Sequence, residues 1–212
     1  MPSMWGKAII KPIPKGADKD PYLPLSYRGI SLISCVAKVY TAILNNRIVG
    51  YCNQLDIFAE EQNGFRHNRS CEDHIFSLCT IVKNRLNKNK DTFCSFVDLE
   101  KAFDWINRDM LLYKLLKYNI DGKMYFAIKS LLSNTSSCVQ LTNVLQTETF
   151  SIDFGVRQGD CISPTLFSLF INDLANHLKV KCPMLSIGET SLNCLLYADD
   201  MVLISESEQG LQ

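Results

Sequence analysis

The sequence predicts an α+β fold in which an antiparallel sheet is flanked by helices. Three features point there. Residues 192–205 hold two apolar runs of strand length, interrupted by Asp199 and Asp200, and neither run is long enough for a good helix. Asp is poor in strand interiors and good in turns, so the acidic pair marks the tip of a hairpin. Upstream, residues 92–97 read as a buried strand with Asp98 at its C-terminal end, and sites gather where strands end. Elsewhere apolar residues recur at helical spacing, as in Val36, Val39, Tyr40, Ile43, Leu44 and Ile48.

In chain order, residues 8–15 read as an edge strand, because Pro12 and Pro14 cannot donate to a ladder. After a loop over 16–24 and a short segment at 27–32, a helix is expected from Ser34 as N-cap to Gly50 as stop. Ser70 caps a second helix, with Ile75, Leu78, Cys79, Val82 and Leu86 on one face. Residues 84–91 form the one strongly polar stretch and the expected lobe boundary. Asn107 caps a helix that turns Leu111, Leu112, Leu115 and Leu116 inward. A further helix over 123–132 and a hairpin of 137–142 with 147–153 follow. Ser163 and Pro164, as N-cap and first helical residue, start the last helix.

At 47% hydrophobic and 21% charged residues the 212-residue chain has an ordinary globular composition, enough for one domain or two small lobes. No apolar run approaches the roughly 18 residues of a membrane span, and the N-terminus has no signal-peptide core. Nine scattered cysteines without a Cys-x-x-Cys pair favour reduced thiols and a nuclear or cytoplasmic setting. Net charge is zero, but its distribution is uneven. Residues 1–50 carry seven cations against two anions; residues 151–212 carry three cations against eight anions, Glu189, Asp199 and Asp200 among them. A basic N-terminal part and an acidic C-terminal part suit a polyphosphate held between Lys or Arg and metal-loaded carboxylates, or two lobes docking by charge.

Adjacent carboxylates repel unless a cation or proton separates them. Taken alone, Asp199-Asp200 reads as an ordinary acidic turn. With Asp98 beside it, three acids can hold two Mg²⁺ ions, with Mn²⁺ as the substitute, at the roughly 3.5–4 Å spacing of two-metal phosphoryl transfer. His67, Cys71 and His74 are a partial zinc set, but no fourth ligand is placed and a helix start explains them better.

Residues 93–104 (Phe-Cys-Ser-Phe-Val-Asp-Leu-Glu-Lys-Ala-Phe-Asp) and 197–200 (Tyr-Ala-Asp-Asp) resemble motifs A and C of reverse transcriptases, in the form found in retroelements without long terminal repeats. Residues 155–164 (Gly-Val-Arg-Gln-Gly-Asp-Cys-Ile-Ser-Pro) resemble motif B, and 62–70 resemble the family's Gln-x-Gly-Phe-Arg-x-x-Arg-Ser segment. Ile-Pro-Lys at 13–15 and Tyr-Arg-Gly-Ile-Ser-Leu at 27–32 are similar to its fingers segment, with Gly29 where Pro is usual.

The resemblance implies an RNA-directed DNA polymerase of the right-hand type. Fingers would span 1–90 and a partial palm 91–212, with the thumb absent after the Tyr-Ala-Asp-Asp motif and other domains belonging to a longer protein. It implies that Asp98 and Asp199 bridge two Mg²⁺ ions with Asp200 assisting. Lys15 and Arg28 would take the incoming triphosphate, with Lys11 and Lys38 as weaker candidates. Gln158 and Gly159 would contact the nucleotide. Phe103 would stack under its sugar and block a 2′-hydroxyl, or else serve as a core ring. Arg66 and Arg69 would meet the template backbone. Glu100 and Asp104 are given no metal role. The implied partners are an RNA template, a DNA primer and deoxynucleoside triphosphates. The rival reading is a catalytically inactive, nucleic-acid-binding remnant of such an element.

Overall fold

The structure, a computed structural model, describes residues 2–142, 144–187 and 190–212; Glu189, counted above among the C-terminal acids, lies outside them. In chain order the elements are β1 (Lys7–Pro14), β2 (Tyr27–Leu32), α1 (Cys35–Gln54), α2 (Cys71–Leu86), β3 (Phe93–Asp98), α3 (Arg108–Lys117) and α4 (Gly122–Leu132). They continue with β4 (Ser136–Val139), β5 (Phe150–Ser151), α5 (Ser163–Lys181), β6 (Leu185–Ile187), β7 (Thr190–Leu192), β8 (Cys194–Tyr197) and β9 (Asp200–Ser205). Contacts gather these into two units: the chain up to Gln54 with Phe103–Phe167, and Leu55–Ala102 with Ser168–Gln212. This partition is a different cut of the chain from a boundary at residue 90. The polar stretch 84–91 lies inside the second unit, where buried Arg85 ties it down by donating to the Asp91 carbonyl and to Glu206.

In the first unit the sheet order is β2-β1-β4-β5. β1 is therefore internal, not the edge strand its prolines suggested. It pairs antiparallel with β2 along Ile9–Pro14 but parallel with β4 only along Lys7–Ile10. The Ile10 carbonyl accepts from Gln140 on the β4 side, so alternation turns Pro12 to that same side, beyond the last paired residue. No donor is needed there. Helix α1 runs past the expected stop at Gly50. Cys52 is fully buried and the Tyr51 hydroxyl donates to the Tyr118 carbonyl at 3.1 Å, so packing overrides the glycine. The inward face of α1 is Ala37, Thr41, Leu44, Ile48 and Cys52; Val36, Val39 and Ile43, expected inward, are exposed.

In the second unit the sheet order is β3-β9-β8, and β6 pairs with β7 as a separate ribbon. The sheet buries apolar side chains on both faces. Leu195 and Ile204 pack with Ile81 of α2 and with Leu185. On the other face Cys194 and Leu196 pack with Ala59 and with Ala175 of α5. Each fully buried aliphatic side chain contributes about 1.5–3 kcal/mol. The same burial pushes the Cys194 thiol up to about 12. Ser70 caps α2 as expected, in a reciprocal box with Asp73. The buried residues of α2 are Ile81 and Arg85, while Ile75 and Leu86 are exposed, because the sheet meets the helix on the side of the buried guanidinium.

Candidate active site

The acidic residues fall together in the second unit. Register pairs Asp98 on β3 with Asp200 on β9, and Asp200 in turn with Tyr197 on β8. Side chains of directly opposed residues share one face, with Cβ atoms about 4.5–5.5 Å apart, and like charges so placed are destabilising. Ala198 and Asp199 form the two-residue turn between β8 and β9. Ala198 has a positive φ of 57° and Asp199 does not, the pattern of a type II′ hairpin turn. Glycine is usual at the first position; alanine there costs about 1–3 kcal/mol that the surroundings must supply. Asp98 and Asp200 are exposed and Asp199 is half-buried. A groove of about 340 Å³ beside them is lined by Asp98, Asp200, Tyr197, Phe96, His74 and Ile75.

Among the described residues no Lys or Arg pairs with these three acids, and no group of three His, Cys, Asp or Glu side chains is gathered into a metal cage. An opposed, unneutralised pair with a third carboxylate next in sequence fits a hard cation that takes one or two carboxylates and fills its shell with phosphate oxygens and water.

The 61–64 segment secures the turn. The Glu61 carbonyl accepts from the Leu196 N–H at 2.8 Å, and the Asn63 N–H donates to the Leu196 carbonyl at 2.9 Å. The buried Gln62 side chain bonds both the N–H and the carbonyl of Ala198. A Cβ on Gly64 would lie 2.1 Å from the Ala198 nitrogen, so only glycine permits this approach. His74 Nε2 donates to the Leu196 carbonyl at 2.9 Å and Nδ1 faces the Asn63 amide nitrogen at 3.2 Å, which engages both ring nitrogens and removes His74 from any zinc set.

Arg66 and Arg69 are engaged within their own loop. Arg66 donates to the Ala59 carbonyl at 3.1 Å, and both guanidiniums pair with Glu60. Arg69, with Arg66 behind it, holds the Glu60 carboxyl below its ordinary range.

The first unit carries the expected nucleotide-binding residues. The motif B loop is stitched to the segment after motif A: Val156 N–H donates to the Phe103 carbonyl at 2.9 Å, and Gly155 N–H to the Ile106 carbonyl at 2.8 Å. Gly155 adopts φ 76° with Phe103 and Asp104 backbone oxygens where a Cβ would stand. The next turn docks on the free edge of β2, where Ser31 N–H donates to the Gln158 carbonyl at 2.8 Å. Gly159, at φ 111°, lies against the Ser31 carbonyl. Lys15 and Arg28 are exposed near one end of the β1–β2 pair. Arg28 lines an open cleft of about 520 Å³ with Lys11, Tyr22 and Tyr27, and Lys15 is not among its lining residues. Phe103 is half-buried and stacks on Phe167, with centroids 4.9 Å apart.

Two arginines in this unit went unassigned in the sequence. Arg108 donates to the carbonyls of Leu132, Ile152, Phe154 and Gly155 and to the Thr135 hydroxyl. Arg157 donates to the carbonyls of Trp5 and Gly6. Burial lowers both guanidinium pKa values, and each is spent on structure.

The chain is 29% identical over 223 residues to a probable RNA-directed DNA polymerase from transposon BS of Drosophila melanogaster, covering 100% of the chain and 23% of that protein. It is 26% identical to the RNA-directed DNA polymerase from mobile element jockey of the same fly, covering 99% of the chain and 22% of that protein. The chain thus spans about a quarter of these relatives. Its fold is similar to telomerase of Candida tropicalis solved with a fragment of telomeric RNA, at a TM-score of 0.69 and 14% identity, covering 100% of this chain and 38% of that one. Among the described residues no helix is long and apolar enough to cross a membrane. Residues 13–212 match the reverse transcriptase (RNA-dependent DNA polymerase) family, and the chain belongs to that family.

Proposed function

We propose that the chain carries the nucleotidyl-transfer site of an RNA-directed DNA polymerase from a retroelement lacking long terminal repeats. The observation that carries this reading is the register of Asp98 against Asp200, with Asp199 in the intervening turn and, among the described residues, no Lys or Arg paired with them. Asp98 and Asp199 would hold two Mg²⁺ ions, with Asp200 assisting. When bound, Mg²⁺ lowers the pKa of a primer 3′-hydroxyl and offsets charge on the triphosphate and pyrophosphate. Lys15 and Arg28 would bind the triphosphate, Arg by a two-pronged grip and Lys as a point charge. Gln158 and Gly159 would contact the nucleotide. Arg66 and Arg69 would lie along the RNA template, with Glu60 setting their direction. Fingers over 1–90 and palm over 91–212 remain the proposed functional labels.

Primer extension on an RNA template tests this reading. A longer protein containing this chain should incorporate deoxynucleotides, and its Asp199→Asn variant should not. Equal synthesis by both would overturn the catalytic reading; RNA binding without synthesis in either would favour the inactive remnant. The 212 residues alone should extend a primer poorly, because orienting the reactants is worth roughly 7–11 kcal/mol of barrier. In the same assay Phe103→Val should admit ribonucleotides if Phe103 blocks the 2′-hydroxyl. Unchanged discrimination with lowered stability would leave Phe103 as the stacking partner of Phe167 alone.

A further inference from the structure

We propose that Gln62 is a positioning residue: its carboxamide sets the turn that presents Asp199 and Asp200 beside Asp98, an inference resting on the metal reading of those acids. Gln62 is 1% exposed, and every bond of its side chain serves this turn or the glycine beneath it. Oε1 accepts from the Ala198 N–H at 3.0 Å and from the Gly64 N–H at 2.7 Å, while Nε2 donates to the Ala198 carbonyl at 3.3 Å. The backbone explains why a side chain is used. Residues 61–63 pair with Leu196 as a short parallel bridge along the outer edge of β8. The next outward-facing N–H and carbonyl on that edge belong to Ala198, but the chain turns away at Gly64. The Gln62 amide stands in for the missing strand, one acceptor and one donor on a two-methylene arm. Glu lacks the donor, and Asn lacks the reach.

The turn needs this support because Ala198 occupies the left-handed position that a type II′ turn reserves for glycine. Without the clamp nothing local favours that backbone, and Asp199, one residue on, loses the fixed backbone position that the turn gives it.

The test uses the 212-residue chain labelled with nitrogen-15, as wild type and as Gln62→Ala, Gln62→Ala/Ala198→Gly and Asp199→Asn. Amide hydrogen exchange reads the turn, and Mn²⁺ broadening of the Asp98 and Asp200 amide resonances reads the acids. In Gln62→Ala the Ala198 amide should exchange about tenfold faster or more, while amides of the β3–β9 ladder keep their rates. The Mn²⁺ concentration for half-broadening should rise about fivefold, and Ala198→Gly should recover most of that rise by removing the strain, while the residue-198 amide, still without its acceptor, keeps its fast exchange. Gln62→Glu, isosteric and still able to accept from both N–H groups, should show the same local pattern at smaller size and serves if Gln62→Ala does not fold. Uniformly faster exchange across the sheet without rescue would make Gln62 merely structural and overturn the proposal. If Asp199→Asn abolishes broadening and Gln62→Ala leaves it unchanged, the metal reading stands and the proposal alone fails. If Mn²⁺ leaves the wild-type resonances sharp, the metal reading fails and the proposal falls with it.

Discussion

The acids of the second unit and the cations of the first are held in opposite ways. Asp98 and Asp200 are fixed by backbone register, and Asp199 by a turn clamped at both polar atoms of its neighbour. Lys15 and Arg28 stand exposed on long arms near a strand end, where a ligand would order them. The cations that the first unit does fix, Arg108 and Arg157, are buried and spent on carbonyls. Charge in the sequence is therefore a poor guide to role: of the basic residues in this unit, Arg108 and Arg157 are consumed by backbone carbonyls while Lys15 and Arg28 stay exposed.

The comparison breaks most sharply at the acids. Asp199→Asn or Asp98→Asn, in a protein competent for synthesis, should lower nucleotide incorporation by roughly 10²–10³-fold or more while leaving the circular dichroism spectrum unchanged. Arg108 should behave conversely. Arg108→Met removes a guanidinium from five acceptors and should cost about 2–4 kcal/mol in urea denaturation of this chain. A loss under 1 kcal/mol would show that those carbonyls find other partners. Lys15→Ala and Arg28→Ala should fall between: little change in stability, and about a tenfold rise in KM for the nucleotide, near 1.4 kcal/mol.

The smallest effect belongs to Glu60. Arg69 holds its carboxyl below the ordinary value of 4.5, so the stability of this pair is present above that value and fades as pH falls through the lower folded one. The Glu60 side chain is 67% exposed, and screening by water reduces the contribution to a few tenths of a kcal/mol. Denaturation of wild type and Glu60→Gln should therefore nearly coincide at pH 3 and differ slightly at pH 7. A gap above 1 kcal/mol at pH 7 would mean the loop is far more tightly coupled than its exposure indicates.

Period-2 patterning and punctuation by Asp made the acidic hairpin and its partner strand legible, because both signals are local. The paired strands of β4 and β5 and the capped start of α2 were legible for the same reason. Tertiary competition hid the rest. The prolines of β1 implied an edge, yet β4 is short enough to leave Pro12 unopposed. Apolar residues all round α1 left its inward face ambiguous, and packing at Cys52 carried the helix beyond Gly50. The link from Gln62 to Ala198 joins residues 136 apart, and no local pattern announces it. The glycine two residues after Gln62 is its one local sign, since a close backbone approach to Ala198 is what that glycine permits.

The most direct test of the shared metal site is to soak crystals of this chain in Mn²⁺ and locate the ion by anomalous diffraction. The expected result is an ion about 2.1 Å from a carboxylate oxygen of Asp98 and of at least one of Asp199 and Asp200, lost in Asp98→Asn crystals. Carboxylates left without an ion at saturating Mn²⁺, or Mn²⁺ bound only away from the β8–β9 turn, would contradict it.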